Sequence, residues 1–235
     1  MNAQRPTPNA QRPIYDITKF TMLDYPDELA CIIWFSGCNM RCPYCYNPDI
    51  VSGKGYQSER DLFDFLESRK LKLDGVVLSG GEATLYPQIV ELCRKIKAMG
   101  FLIKLDTNGS RPEVIQQLLS ESLIDYVAMD FKAPQSKYEL VSKLKNGFEM
   151  FCKSLKLLNS SKIQFEIRTT VHTDLISEAD INEMAEFLAA KGYQGTFYLQ
   201  QFLETETNLA DLQSPARLFD PQKLSSIIPI ELRNF

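Results

Sequence analysis

The chain of 235 residues contains a single histidine, His172. A serine–histidine–aspartate relay or a multi-histidine zinc site has only this residue to draw on, which excludes most histidine chemistry. No apolar run approaches the roughly 18 residues of a membrane-spanning helix. The amino terminus, rich in Pro, Gln and Asn, lacks the apolar core of a secretory signal. Positive charge is not in excess: Lys plus Arg is 26 and Asp plus Glu is 30, for a net charge of −4. A protein that mainly neutralises phosphates is expected to be basic. These absences predict a soluble cytoplasmic protein whose main task involves neither nucleic acid nor membrane. What is present, 44% hydrophobic and 24% charged residues, is enough to bury a full core in one large domain or two small ones.

Six cysteines in a chain of this size without an export signal do not predict a disulfide framework. Cys31, Cys93 and Cys152 are scattered among apolar neighbours and read as small buried hydrophobes. Cys38, Cys42 and Cys45 are crowded into one short loop.

Residues 2–6 and 9–13 both read NAQRP, a short polar repeat that predicts a disordered tail over 1–14. Six apolar runs then predict strands: 30–34, 75–79, 101–106, 125–131, 163–171 and 196–202. Helical patterns separate most of them. Ser58 and Asp61 form a capping box ahead of Leu62, Phe63 and Leu66. Pro87 opens a helix through Ile89, Val90, Cys93 and Ile96 that ends at Gly100, and Pro112 opens another through Ile115, Leu118 and Leu119. Phe148, Phe151, Leu155 and Leu158 recur at helical spacing, and 178–191 is helical up to Gly192. Asp220 and Pro221 predict a short final helix. Strands alternating with helices imply parallel pairing through right-handed crossovers, in an open doubly wound sheet or a partial barrel. Either fold gathers ligands at the carboxyl ends of its strands. The unusual residues fall there: the cysteine loop after strand one, Gly80-Gly81-Glu82 after strand two, Thr107-Asn108-Gly109 after strand three, Asp130 and Lys132 at the end of strand four, Arg168 on strand five, and Gln200-Gln201 on strand six.

The loop Gly37-Cys38-Asn39-Met40-Arg41-Cys42-Pro43-Tyr44-Cys45 spaces its thiols C-x3-C-x2-C. Three thiolates can hold three corners of an iron–sulfur cluster and leave one iron open, whereas a closed structural zinc site takes four ligands. A zinc knuckle and a redox dithiol are the competing readings of the spacing alone. Asp106 and Asp130 can equally cap the helices that follow them, and Arg168 can be a structural salt-bridge residue.

C-x3-C-x-aromatic-C after a first strand resembles the radical S-adenosylmethionine (SAM) superfamily. Ser79-Gly80-Gly81-Glu82 is similar to that family's GGE motif. Leu105-Asp106-Thr107-Asn108-Gly109, Met129-Asp130-Phe131-Lys132 and Asp24-Tyr25-Pro26 resemble segments of its glycyl-radical-enzyme activases, particularly those of anaerobic ribonucleoside-triphosphate reductase. The resemblance runs from about Asp16 to Phe202. It implies an α/β fold, a partial (β/α)6 TIM-like barrel of parallel strands over 15–235. It implies a [4Fe–4S] cluster on Cys38, Cys42 and Cys45 as the catalytic metal centre. It implies SAM held by Tyr44 beside the adenine, by Gly80, Gly81 and Glu82 at the amino group, and by Lys132, Asp106, Thr107 and Asp130 near the carboxylate, with Arg168 reaching the ribose or substrate. A monovalent cation beside SAM is a further implication. The implied reaction is one-electron cleavage of SAM to methionine and a 5′-deoxyadenosyl radical, which takes hydrogen from a glycine of a partner enzyme. Anaerobic ribonucleotide reductase is the expected partner, and a flavodoxin or ferredoxin-type protein the expected electron donor.

The chain departs from the activase pattern in two places. Tyr46 stands where many activases have His after the third cysteine, and Gln200-Gln201-Phe202 stands where pyruvate formate-lyase activase has a strand-six His. His172 is no obvious substitute. No second set of close cysteines predicts ferredoxin-like clusters. A radical SAM enzyme for a small molecule or peptide, and a zinc-bearing interaction domain, are the alternatives.

Overall fold

The computed structural model describes residues 12–51, 54–204, 208–210, 212–225 and 227–235. Among the described residues eight strands form one sheet whose spatial order is the chain order: β1 (Ile14–Thr21), β2 (Ala30–Phe35), β3 (Gly75–Gly80), β4 (Leu102–Thr107), β5 (Tyr126–Asp130), β6 (Gln164–Val171), β7 (Phe197–Gln201) and β8 (Ile230–Arg233). All ladders from β2 to β8 are parallel, and β1 alone runs antiparallel, to β2. A doubly wound sheet reverses its order at a switch point. Here the order never reverses, so each crossover advances the same way and the sheet curls as a partial barrel. Among the described residues no ladder joins β8 back to β1.

The six expected strands are β2 to β7. The two edge strands, β1 and β8, were not foreseen. β1 carries Asp16 and Lys19 and its pairing is interrupted by irregularities at both ends, a weak pattern for a strand but a common feature of protected edges. The expected tail over 1–14 lies outside the described residues up to residue 11, and Ile14 is buried where β1 begins. The expected C-terminal helix is instead a single 3₁₀ turn, Pro221–Lys223. Asp220 caps only the Gln222 N–H, and Leu224 is already extended.

The helices are α1 (Pro48–Val51), α2 (Glu59–Glu67), α3 (Ile89–Ala98), α4 (Pro112–Ser120), α5 (Tyr138–Ser142), α6 (Gly147–Asn159) and α7 (Glu178–Ala190). Ser58 and Asp61 form the reciprocal capping box of α2, and Ser177 with Asp180 repeats it on α7. Gly100 and Gly192 follow α3 and α7 in left-handed backbone. The principal core lies between the sheet and these helices. Cys31 and Cys93 are buried in it, as expected, whereas Cys152 on α6 is partly exposed. Among the described residues no helix is long and apolar enough to cross a membrane.

A second, smaller core fills the inner curve of the sheet. Tyr25, Ala30, Ile32 and Val77 pack there with Trp34, Leu102 and Tyr126. Side chains alternate along a strand, so inner-face residues nearer the carboxyl ends stand above this plug and face the cavity. Tyr25, on the β1–β2 turn, closes the lower end. It is 4% exposed, its ring centroid is 6.2 Å from that of Tyr126, and it lies where a Cβ on Gly75 would reach. Tyr25→Ala is expected to destabilise the protein by about 3 kcal/mol, as truncation of a buried aromatic does. The shift in urea midpoint measures it, and a loss below about 1 kcal/mol contradicts the plug assignment.

Candidate active site

The cysteine loop leaves β2 at Gly37, where both backbone polar groups are engaged. The Gly37 N–H donates to the Ile50 carbonyl of α1 (2.7 Å), and the Gly37 carbonyl accepts from the Glu82 N–H (2.9 Å). The loop therefore starts and returns at one point. Arg41 stiffens it by donating to the carbonyls of Cys38 (2.6 Å) and Met40 (2.7 Å), and its own N–H donates to Ser142 (2.9 Å) at the end of α5. Cys38, Cys42 and Cys45 all carry free thiols. Burial pushes the Cys38 thiol up to about 11 and raises that of Cys42, where the Lys132 ammonium opposes the shift.

Gly80 and Gly81 bring a second loop against the first. Gly80 has φ of +112°, and a Cβ there would lie 2.4 Å from the Phe35 backbone. A Cβ on Gly81 would lie 2.1 Å from the Gly37 carbonyl oxygen. Only glycine meets both demands. The next residue, Glu82, is 2% exposed. Its carboxylate accepts from the Thr84 N–H (3.1 Å) and hydroxyl, the Thr107 hydroxyl (2.8 Å) and the Asn108 N–H (2.7 Å). Three of these donors converge on Oε1 and only the Asn108 N–H reaches Oε2, which keeps an acceptor position free. Glu82 thus fastens the loops after β2, β3 and β4 to one another. Burial raises its carboxyl despite these donors. Asn108, held by Glu82, donates in turn to Asn39 of the cysteine loop (3.0 Å).

Charged residues of alternating sign cross the mouth of the sheet. Lys104 bonds Asp106, Asp106 also accepts from Ser79 (3.1 Å), and Arg168 lies 3.5 Å from Asp106. The Arg168 Nε donates to Asp130 (3.0 Å), and Lys132 donates to the other oxygen of Asp130 (3.0 Å). Asp106 and Asp130 make these contacts on the strands themselves, and α4 has no side-chain cap, so the helix-capping alternative is not realised. Burial pushes the Asp130 carboxyl up, but Arg168 and Lys132 outweigh it and leave it at about 2. Asp106 is likewise held low, Arg168 and Lys104 overcoming its burial. Lys132 is held above its ordinary value because Asp130 and the Cys42 sulfur outweigh desolvation. Three cations face two carboxylates here, so the group carries a surplus positive charge.

Cys38, Cys42, Cys45, Tyr44, Gly80, Gly81, Glu82, Asp106, Thr107, Asp130, Lys132 and Arg168 all line one cavity of about 300 Å³, within the size range of small-molecule sites. Trp34, Met40 and Thr170 line it too and were not foreseen, although Thr170 follows Arg168 at the two-residue spacing of a strand face. Tyr44 is buried, with its hydroxyl against the Cys42 sulfur. Tyr46 stacks on Phe202 and its hydroxyl accepts from the Leu203 N–H (2.9 Å). His172 does not line the cavity. It is buried, with Nε2 3.0 Å from the Gln213 carbonyl, while Gln200 of β7 does line it.

The donor set fits an iron–sulfur cluster. Three thiols on one rigid loop face a single cavity, beside Lys132, which favours the thiolate form of Cys42. Among the described residues no three Cys, His, Asp or Glu side chains are grouped as ligands of one metal ion. Thiols that bind separate irons need no such convergence.

The Radical SAM superfamily profile matches residues 32–189. A Methanocaldococcus jannaschii protein, provisionally named a glycyl-radical enzyme activating enzyme, is 38% identical over 72% of this chain and 72% of its own. The pyruvate formate-lyase-activating enzyme of Clostridium pasteurianum is 29% identical over 61% of this chain and 63% of its own. The crystal structure of Streptococcus suis SuiB bound to S-adenosylmethionine shares the fold, with a TM-score of 0.64 and 15% identity over 86% of this chain and 52% of that longer one.

The depressed Asp130 carboxyl carries a pH signature. Its unfolded value lies near 3.9, so its ion pairs stabilise the fold above that pH, and the contribution is lost as pH falls through about 2. Metal-free Asp130→Asn is expected to be less stable than the wild type at neutral pH, with the gap closing between pH ~4 and ~2. Urea unfolding across that range measures it, and a gap independent of pH contradicts the assignment.

Proposed function

We propose, from the premise that this chain belongs to the radical SAM superfamily, that it is an activase generating a glycyl radical on a partner enzyme. The observation that carries the reading is the convergence of three free thiols, a Gly-Gly-Glu turn and a cationic cluster on one cavity at the carboxyl ends of parallel strands. Relatives named as activating enzymes support the activase class. When bound, the cluster on Cys38, Cys42 and Cys45 supplies one electron to SAM, whose cleavage yields methionine and the 5′-deoxyadenosyl radical that takes a glycine hydrogen.

The chain's own groups have distinct tasks. Lys132 and Arg168 supply the surplus positive charge that an α-carboxylate needs. Gly80 and Gly81 let the backbone close in beside the cysteine loop and leave room for an amino-acid moiety. Glu82 holds that backbone in place through the donors on Oε1, and its Oε2, bonded only by the Asn108 N–H, offers an acceptor to the ligand's ammonium. Tyr44 and Trp34 offer aromatic surface for a nucleoside. The monovalent cation implied by the family resemblance would share the oxygens of Asp106, Thr107 and Asp130 with Lys104, Lys132 and Arg168, which bond the two carboxylates.

The open barrel suits a macromolecular substrate. A partner's loop can enter a cleft as extended backbone, which a closed barrel around a small molecule would not admit. Anaerobic ribonucleotide reductase is the proposed partner, with a flavodoxin or ferredoxin-type protein as electron donor. Anaerobic reconstitution is expected to load about four irons per chain. Dithionite and SAM are then expected to release 5′-deoxyadenosine, and Cys42→Ala to abolish it. One zinc per chain without cleavage contradicts the enzyme reading. Mixing the reduced protein and SAM with anaerobic ribonucleotide reductase is expected to give a glycyl doublet in the EPR spectrum. SAM cleavage without a doublet on this enzyme, but with one on pyruvate formate-lyase, reassigns the partner. Cleavage with neither supports a small-molecule substrate.

A further inference from the structure

One buried charge beneath the cavity has no part in the roles assigned above. Glu166 lies on β6 two residues before Arg168, so both side chains stand on the inner face of the sheet. Glu166 is 4% exposed and does not line the cavity. Its partner comes from the last strand. Arg233 of β8 donates to both carboxylate oxygens of Glu166, at 3.1 and 3.0 Å. Arg233 stands opposite Gln200 in the β7–β8 ladder, so its side chain reaches back across β7 to β6. On the way its guanidinium lies 3.5 Å from the centroid of the Tyr198 ring, which fixes the plane of the fork. The Tyr126 hydroxyl also donates to Glu166 (3.4 Å).

The charges on this inner face are coupled. Lys104, Lys132, Arg168 and Arg233 are the cations, and Asp106, Asp130 and Glu166 are the carboxylates. Glu166 acts electrostatically on Arg168 even in the intact structure. A buried carboxylate stripped of its cation must find another or take up a proton. The nearest candidate along the chain is Arg168, at the facing position of the same strand. Withdrawing Arg168 toward Glu166 would release its bonds to Asp130 and Asp106 and cancel the surplus positive charge at the cavity.

We infer that Arg233 is a positioning residue for the site: by occupying Glu166 it keeps Arg168 turned toward Asp106 and Asp130, where its charge serves an anionic ligand group. Arg233 itself touches no part of the cavity. The last strand of the chain thereby sets the charge presented by the fifth strand of the parallel set. The link to SAM rests on the function proposed above. The link between Arg233 and Arg168 does not.

The test uses the full chain as wild type, as Arg233→Met, and as Arg233→Met combined with Glu166→Gln. Methionine keeps length and packing on Tyr198 while removing the charge, and Arg233→Gln replaces it should the methionine variant fail to fold. The first readout needs no ligand. Proton exchange at the Arg168 Nε–H is followed by nitrogen-15 NMR, with the signal assigned by its loss in Arg168→Lys. Exchange is expected to accelerate about tenfold in the single variant and to return to within about threefold of wild type in the double variant. The second readout is SAM affinity of the iron-loaded protein by equilibrium dialysis, expected to weaken about tenfold and to recover in the double variant. The double variant lacks the β8 clamp as fully as the single one. A clamp that only secures the sheet edge would therefore leave both equally impaired, and that result overturns the inference. Unchanged Arg168 exchange in the single variant overturns it as well. If the exchange data follow expectation but wild-type protein binds no SAM, the function proposed above fails and the positioning role stands.

Discussion

The site depends on the buried carboxylate of Glu82. Three loops leave three different strands, and this buried group fastens them. Its backbone N–H holds Gly37 at the start of the cysteine loop, while its side chain holds Thr84, Thr107 and Asn108. Burying a carboxylate is costly unless its lone pairs are filled. Here the cost is offset by donors that the loops supply, so the loops can reach this arrangement only together. The glycines before Glu82 are the corollary. With any side chain at position 81 the two loops could not come within hydrogen-bonding distance.

Above that knot, the electrostatics follow from strand order. Lys104 and Asp106 of β4, Asp130 of β5 and Arg168 of β6 sit on adjacent parallel strands, and each cation reaches a carboxylate on its own or a neighbouring strand. Lys132, just past β5, extends the set toward the cysteine loop. Such buried ion pairs are weak evidence for stability. Their effect is to hold fixed charge at one end of a small cavity, where low dielectric strengthens it. The apolar plug of Tyr25, Ile32 and Val77 closes the same lumen from beneath.

Much of this was legible in the sequence because the chemistry is local. C-x3-C-x2-C, Gly80-Gly81-Glu82, Asp106-Thr107 and Asp130-x-Lys132 each sit at the end of an apolar run, and parallel topology brings such ends together. Six of the seven parallel strands and most helices announced themselves through continuous apolar runs, capping boxes and terminal glycines. Long-range pairings were not legible. Nothing near Glu166 in sequence indicates that its partner is Arg233. The four-residue β8 is too short and too polar to register as a strand. The motif marks Glu82 as a partner for an ammonium, but gives no sign of the Thr107 and Asn108 donors, distant in the chain, that it also binds. Asp106 and Asp130 could each have been a helix cap, and only the lateral packing of strands decides for ion pairs.

The central claim is that the protein provides three ligands and leaves the fourth position of the cluster to SAM. Mössbauer spectroscopy of the iron-57-loaded protein, recorded with and without SAM, tests it most directly. The account predicts that SAM shifts the signal of one iron and leaves three unchanged. Four irons that are indifferent to SAM, as a fourth protein ligand would make them, contradict it.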